Sequence, residues 1–318
     1  WSGLELNFIY DHKTNHLDSS FISRALNITD PETTFTISNI TGRSSTSDIN
    51  QNFQSLTGDF EMKIANINFD SIDTKMNMNN LVFSGFSKTN QGKLQMGMKL
   101  TGDKMVANEY EFGPLTYNFA IKDIDATSWI KLQESANSMK SAENPMEQGM
   151  QVMGILPELV KYSPVIEIKE LSLKSNQGNF DANAKVKIKA DNPEMLQNIL
   201  LIGNTLEAEA SVVASKSLVD FYIENTSANN KAQEKSIDNE NKNKVSEGAE
   251  QLSEGQDFIA GETKEEAKAA DNESGIKEFI DSGYFILDGN NYVFKATLKS
   301  GLLSINGKPI PLAQMMLQ

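Results

Sequence analysis

Apolar side chains recur at every second position along most of this chain. Phe35 and Ile37 form one such stripe, as do Met62 and Ile64, followed by Ile67 and Phe69 after a one-residue change of phase. Leu94, Met96, Met98 and Leu100 make another, and Leu115, Tyr117, Phe119 and Ile121 a further one. The rhythm continues through Ile166 and Ile168, Leu171 and Leu173, and residues 180–188, 206–212 and 292–298, closing with Leu303 and Ile305. Lys, Asn, Gln, Ser and Asp fill the positions between. A period of two sends alternate side chains to opposite faces of a strand. Each stripe therefore hides one face and wets the other, which predicts antiparallel sheets with a solvated side.

Helical patterns interrupt the strands at few places. Asp125 is placed to cap a helix carrying Trp129, Leu132, Ala136 and Met139 on one face. Asn144-Pro145 opens a second, with Met146, Met150 and Met153 on one side, and Pro157 restarts or kinks it before Tyr162. Asn192-Pro193 repeats the device, and Ile276, Phe279 and Ile280 mark a short last helix.

Two stretches read as copies. Leu81 to Leu100 places a strand, Asn90-Gln91-Gly92 and a second strand in order; Leu171 to Val186 does the same around Asn176-Gln177-Gly178. A helical pattern follows each, which predicts a duplicated unit of sheet plus helix. The expected fold is α+β, with long twisted antiparallel β-sheets in two related halves and helices packed on one face. Residues 1–54 form N-terminal strands, 55–162 the first half and 163–225 the second. Residues 226–274, rich in Asn, Lys, Glu, Asp and Ser with isolated apolar residues, read as an acidic mobile insertion. Residues 275–318 supply a C-terminal helix and closing strands, ending in Asn306-Gly307, a hairpin turn, and Pro309.

Charge and composition narrow the chemistry. A formal charge of −14 over 318 residues argues against a nucleic-acid partner, which needs clustered Lys and Arg. With no cysteine, disulfides, thiolate nucleophiles and cysteine metal sites are excluded. The two histidines, His12 and His16, stand in a polar turn between strands and read as exposed turn residues, although their spacing suits one helix face. Ser128-Trp129-Ile130-Lys131, Ser227-Ala228-Asn229 and Lys299-Ser300-Gly301 match, in order, the three short motifs of penicillin-recognising serine enzymes. Each match is two or three residues in a chain rich in those types, and the strand-dominated pattern does not suit that fold; this reading stands as an alternative, set aside. No catalytic residue, metal or cofactor is expected.

Methionine is the unusual apolar residue. Met76, Met78, Met96 and Met98 sit two apart on strands, and Met146, Met150 and Met153 line a predicted helix. They read as core filler or, more sharply, as an adaptable apolar groove for an acyl chain or a partner's hydrophobic segment.

An ordered set of short motifs adds a resemblance. It comprises Gly113-Pro114-Leu115, Ile124-Asp125-Ala126, residues 163–168 with Leu171-Ser172-Leu173 and Gly178, then Gly283-Tyr284, Tyr292, and Gly301-Leu302 through Asn306-Gly307-Lys308. Over most of residues 55 to 312 the chain resembles the YdgA/YihF family of Gram-negative envelope proteins, whose domain has no known function. The resemblance implies a periplasmic domain held to the inner membrane by an N-terminal anchor, missing from a chain that starts Trp1-Ser2-Gly3. It transfers no catalytic residue. Repeated amphipathic strands are also similar to AsmA-type lipid-handling proteins. The expected role is therefore a non-catalytic scaffold or binding module with an envelope protein partner or an apolar ligand, and a self-complementary strand edge would make a homodimer.

Overall fold

A computed structural model of the protein describes residues 1–47, 57–139, 154–189, 205–224, 276–277 and 279–311. Among these, 69% lie in strands and 15% in helices, so the protein is mostly antiparallel β with few helices. The first strands are β1 (Leu4–Asp11), β2 (His16–Thr29), β3 (Thr33–Ser47), β4 (Thr57–Ser71), β5 (Lys75–Asn90) and β6 (Lys93–Gly102). A short β7 (Lys104–Ala107) and the long β8 (Tyr110–Asp125) lead into helix α1 (Ala126–Met139). A short helix α2 (154–159) precedes β9 (Val165–Ser175), β10 (Gly178–Ile188) and β11 (Leu206–Ser215), and helix α3 (216–224) follows at once. Helical residues at 276–277 and 279–281 then precede β12 (Ile286–Asp288), β13 (Asn291–Lys299), β14 (Leu302–Ile305) and β15 (Lys308–Pro311).

All fifteen strands join a single antiparallel sheet, in the order β1-β2-β3-β4-β5-β6-β8-β9-β10-β11-β13-β14-β15. β7 bridges β5 and β8, and β12 pairs with β13. The several sheets expected from the sequence are one, because each strand pairs with the free edge of the previous one. β8 pairs with β9 from Phe112–Ser175 to Lys122–Val165 with two irregularities, so the strands on either side of the expected boundary at 162–163 are neighbours in the sheet.

Residues in direct register share a face, so the register can be followed across the sheet. Met62, Phe83, Leu100, Tyr117, Leu171, Ala182, Val212 and Phe294 form one such row. This apolar inner face carries α1 and α3. The outer face carries polar cross-strand pairs, among them Lys122–Glu167 at 2.7 Å and Lys189–Glu207 at 2.8 Å.

The phase change between Ile64 and Ile67 is part of a crease running across the sheet. Arg24, Asn39, Ala65 and Asn80 lie in one row and are skipped by the pairing that continues on either side. Asn39 and Asn80 adopt the left-handed conformation, both with φ of 52°, which asparagine tolerates better than most residues. On each strand the inner-face residues flanking the crease are three apart, as in Ile37 and Ile40, Ile64 and Ile67, or Met78 and Leu81. The line continues through Asp103, whose Oδ2 accepts from Asn80 Nδ2 at 2.8 Å. It ends at Gly113, with φ of 122°, where a Cβ would lie 2.3 Å from the Asp103 carbonyl oxygen. There the slip is taken up as a bulge against β9, which keeps a period of two. The apolar stripe therefore stays on one face although its phase shifts. Beside the crease, on the outer face, Asn66, Asn79, Asn77 and Asn68 each donate a side-chain hydrogen bond to the next, closing a four-amide ring.

Two stretches share an order of parts. β5, β6 and β8 lead to α1, and β9, β10 and β11 lead to α3; the first two strands of each are joined at Asn-Gln-Gly. The helix entry sits on that turn in both. Ala126 N donates to Gly92 O at 2.9 Å in the first, and Ser217 Oγ donates to Gln177 O in the second. The turns themselves differ by one position. Gln91 and Gly92 occupy the first, whereas Asn176 and Gln177 occupy the second and Gly178 already pairs with Ser175.

Candidate functional site

The ground beneath α1 is filled. Leu94 is fully buried against Ile124 and Ala126, with Met96, Ile121, Trp129 and Leu159 packed around them. Asp125, the residue before α1, accepts from Ser128 N at 2.8 Å and Ser128 Oγ at 2.7 Å through one carboxylate oxygen. Its other oxygen meets Lys161 Nζ at 2.8 Å. Burial pushes the Asp125 carboxyl up, but the Lys161 ammonium and the two Ser128 donors outweigh it and hold the carboxyl below its ordinary range. Ser128 is thus a buried capping partner, which is the role that its position at a helix start calls for. The Lys299 turn lies four strands away along the sheet, roughly 19 Å at the usual strand spacing, so the first and third penicillin-enzyme motifs do not converge. The second motif, Ser227 to Asn229, lies outside the described residues.

The ground beneath α3 is hollow. An apolar cavity of about 380 Å³ separates the inner face of the sheet from α3 and from the helical residues Ile276 and Ile280. Its floor includes Leu173, Phe180, Val212, Ala214 and Tyr292, and its roof Leu218 and Val219. Phe221, also at the roof, rests edge-on against Tyr110 with ring centroids 4.9 Å apart. Among the described residues no charged side chain lines the cavity. One floor position, Ala214, is small; the other inner-face alanines of β10 and β11, Ala182, Ala184, Ala208 and Ala210, do not line the cavity.

A second, more open hollow of about 530 Å³ lies on the same face between β3 and β8. Met96 and Met98 line it with Phe60, Phe83 and Phe119. Phe60 lies over Gly85, where a Cβ would stand 2.4 Å from its ring, and packs at a tilt against Phe83 with ring centroids 5.1 Å apart. Met76 and Met78 are also on the inner face, but beyond the crease, in register with Ala107 and Met105. Met78 and the Gly85 position beside Met98 are seven residues apart on β5, roughly 23 Å along the strand. The four strand methionines therefore share a face and fall in two places. Met146, Met150 and Met153 lie outside the described residues, as do the helix expected after Asn192-Pro193 and the insertion at 226–274.

His12 sits in the exposed β1–β2 turn. His16 opens β2, with Nδ1 2.9 Å from Ser47 Oγ and Nε2 3.1 Å from Asp18 Oδ1. Among the described residues no group of three or more His, Cys, Asp or Glu is arranged to hold a metal, and no helix is long and apolar enough to cross a membrane.

Sequence reasoning, following the methionines, did not single out the α3 cavity. Of its lining only Ala214 is small, and a single alanine in a strand carries no such signal.

Comparison with known families matches residues 1–313 to a model described as "Bacterial protein of unknown function (DUF945)". No curated protein and no solved structure matches the chain.

Proposed function

The chain belongs to the DUF945 family of bacterial proteins of unknown function, and from that premise we propose that it is a non-catalytic binding module that shields an apolar ligand on the inner face of its sheet. The observation carrying this is the extent of that face. It runs apolar from β2 to β14, while α1, α2, α3 and the helical residues near 280 are the only described helices that lie over it. Among the described residues only seven apolar side chains are buried, so most of the stripe is left half-covered. Faces of this kind mark ligand or partner surfaces.

The YdgA/YihF likeness supports a place in the Gram-negative periplasm, anchored to the inner membrane, and the AsmA-type likeness supports a lipid-handling role. The shared order of parts around α1 and α3 supports an origin in two related α+β halves, of which the second has kept room for a ligand.

Protein purified from membranes and examined by native mass spectrometry tests the reading. The expected result is a bound species of lipid mass that is lost on organic extraction; protein that carries no such mass from any membrane preparation overturns it. One observation favours a second reading, a scaffold that pairs with its own copy. All eight residues of β1 are exposed at an open sheet edge, and Leu4, Leu6, Phe8, Ile9 and Tyr10 are among them. The same spectra report a homodimer.

A further inference from the structure

We infer that the cavity beneath α3 is a site for a single hydrocarbon chain, whose polar end stays outside; this rests on the apolar-ligand reading and locates it. Three observations meet there. The thirteen described residues that line the cavity include no charged group, and no polar atom of theirs faces the space, so they offer no partner to a carboxylate or phosphate. Its volume of about 380 Å³ is at the small end of ligand sites, about 300–1,000 Å³, and well above the roughly 150 Å³ that admits benzene. It has room for one chain and not for a whole two-chain lipid. The floor is rigid, because β9, β10, β11 and β13 are paired in unbroken register beneath it apart from one bulge at Ala182–Ala184. Among the described residues the roof is α3 and the short helical stretch carrying Ile276 and Ile280.

The chemistry does not separate a free fatty acid from one acyl chain of a phospholipid. Delipidated full chain is titrated with a dansyl-labelled undecanoic acid, followed by displacement with oleate and, separately, with phosphatidylethanolamine vesicles. Saturable binding of one probe per chain is expected. Displacement by oleate alone assigns the site to free acids; displacement by both assigns it to lipid chains as well. Val219→Trp, at the roof, and Ala214→Trp, at the floor, fill the cavity and weaken binding by about tenfold or more, the scale of an overpacking clash. Met98→Trp, in the open hollow, leaves it unchanged. Circular dichroism establishes that each variant is folded; if Ala214→Trp is not, Val219→Trp, half-exposed on its helix, carries the test. Binding that survives both cavity substitutions and falls in Met98→Trp overturns this site while leaving the apolar-face reading intact. A wild-type chain that binds no probe overturns both.

Discussion

The units ending in α1 and α3 are assembled alike and packed differently. Each sets a helix on the inner face of three strands and fixes its entry on an Asn-Gln-Gly turn. Under α1 the strands offer Leu94, Met96, Ile121 and Ile124, and the space is full. Under α3 they offer Leu173, Phe180, Val212, Ala214 and Tyr292, and about 380 Å³ remains. The capping chemistry differs in the same sense. Asp125 is buried and locked to Lys161 and Ser128, whereas at the other entry Ser215 Oγ accepts from Asn179 N at 3.0 Å and Lys216 pairs with Asp220 on the exposed helix surface. One helix is held by packing and an ion pair from an exposed lysine to a buried carboxylate, the other by turn contacts and aromatic edges. The contrast teaches that the same chain path can either close a core or leave space beneath its helix.

Substitutions sharpen the contrast. The largest effect is expected at Leu94. Leu94→Ala removes a fully buried side chain from a filled site and should cost about 3–5 kcal/mol in urea unfolding. Leu218→Ala, which faces space already present, should cost less than half as much. Equal losses would erase the distinction between full and hollow. Next comes the cap. Asp125→Ala should cost about 1–2 kcal/mol by removing the acceptor for Ser128 at the start of α1. Its pH dependence has a definite sign. The folded carboxyl lies below its ordinary range, so its stabilisation is fully present above the unfolded pKa and is lost as pH falls through the folded value. Thermal melting of Asp125→Asn should show a flatter decline on the acid side than wild type; parallel curves would deny the carboxylate this role. The smallest effect is a gain. Val212→Leu adds a methylene to the cavity and should stabilise the ligand-free chain by about 0.5–1 kcal/mol while weakening the probe. A loss of stability instead would mean that the space is not there to fill.

Much of this architecture was legible in the sequence, and the reason is period. The stripes at Leu94–Leu100, Leu115–Ile121 and residues 180–188 are strands where alternation placed them, and Asp125 caps α1 as its position implied. The phase change after Ile64 was visible too, but as an isolated irregularity. Only the register revealed it as one of a row, because nothing local ties Asn39 to Asn80. The union of all strands in one sheet was likewise hidden, since alternation fixes faces and not neighbours. The four strand methionines share the inner face with the α3 cavity and do not line it. Size at a position can be read from one letter, but empty volume is a sum over side chains brought together from β8, β11, β13 and α3.

The line of left-handed asparagines has a consequence for how this sheet tolerates change in length. Deleting one residue from an ordinary strand turns every side chain beyond it inside out. Here each of several neighbouring strands already carries one surplus residue at the same latitude, so the two ends of the sheet are set independently. A coordinated loss of that row would swap the water-facing and grease-facing surfaces on one side of it. A change confined to one strand would instead break pairing with both neighbours. The crease works as a hem, and alterations there must be made across the whole width or not at all.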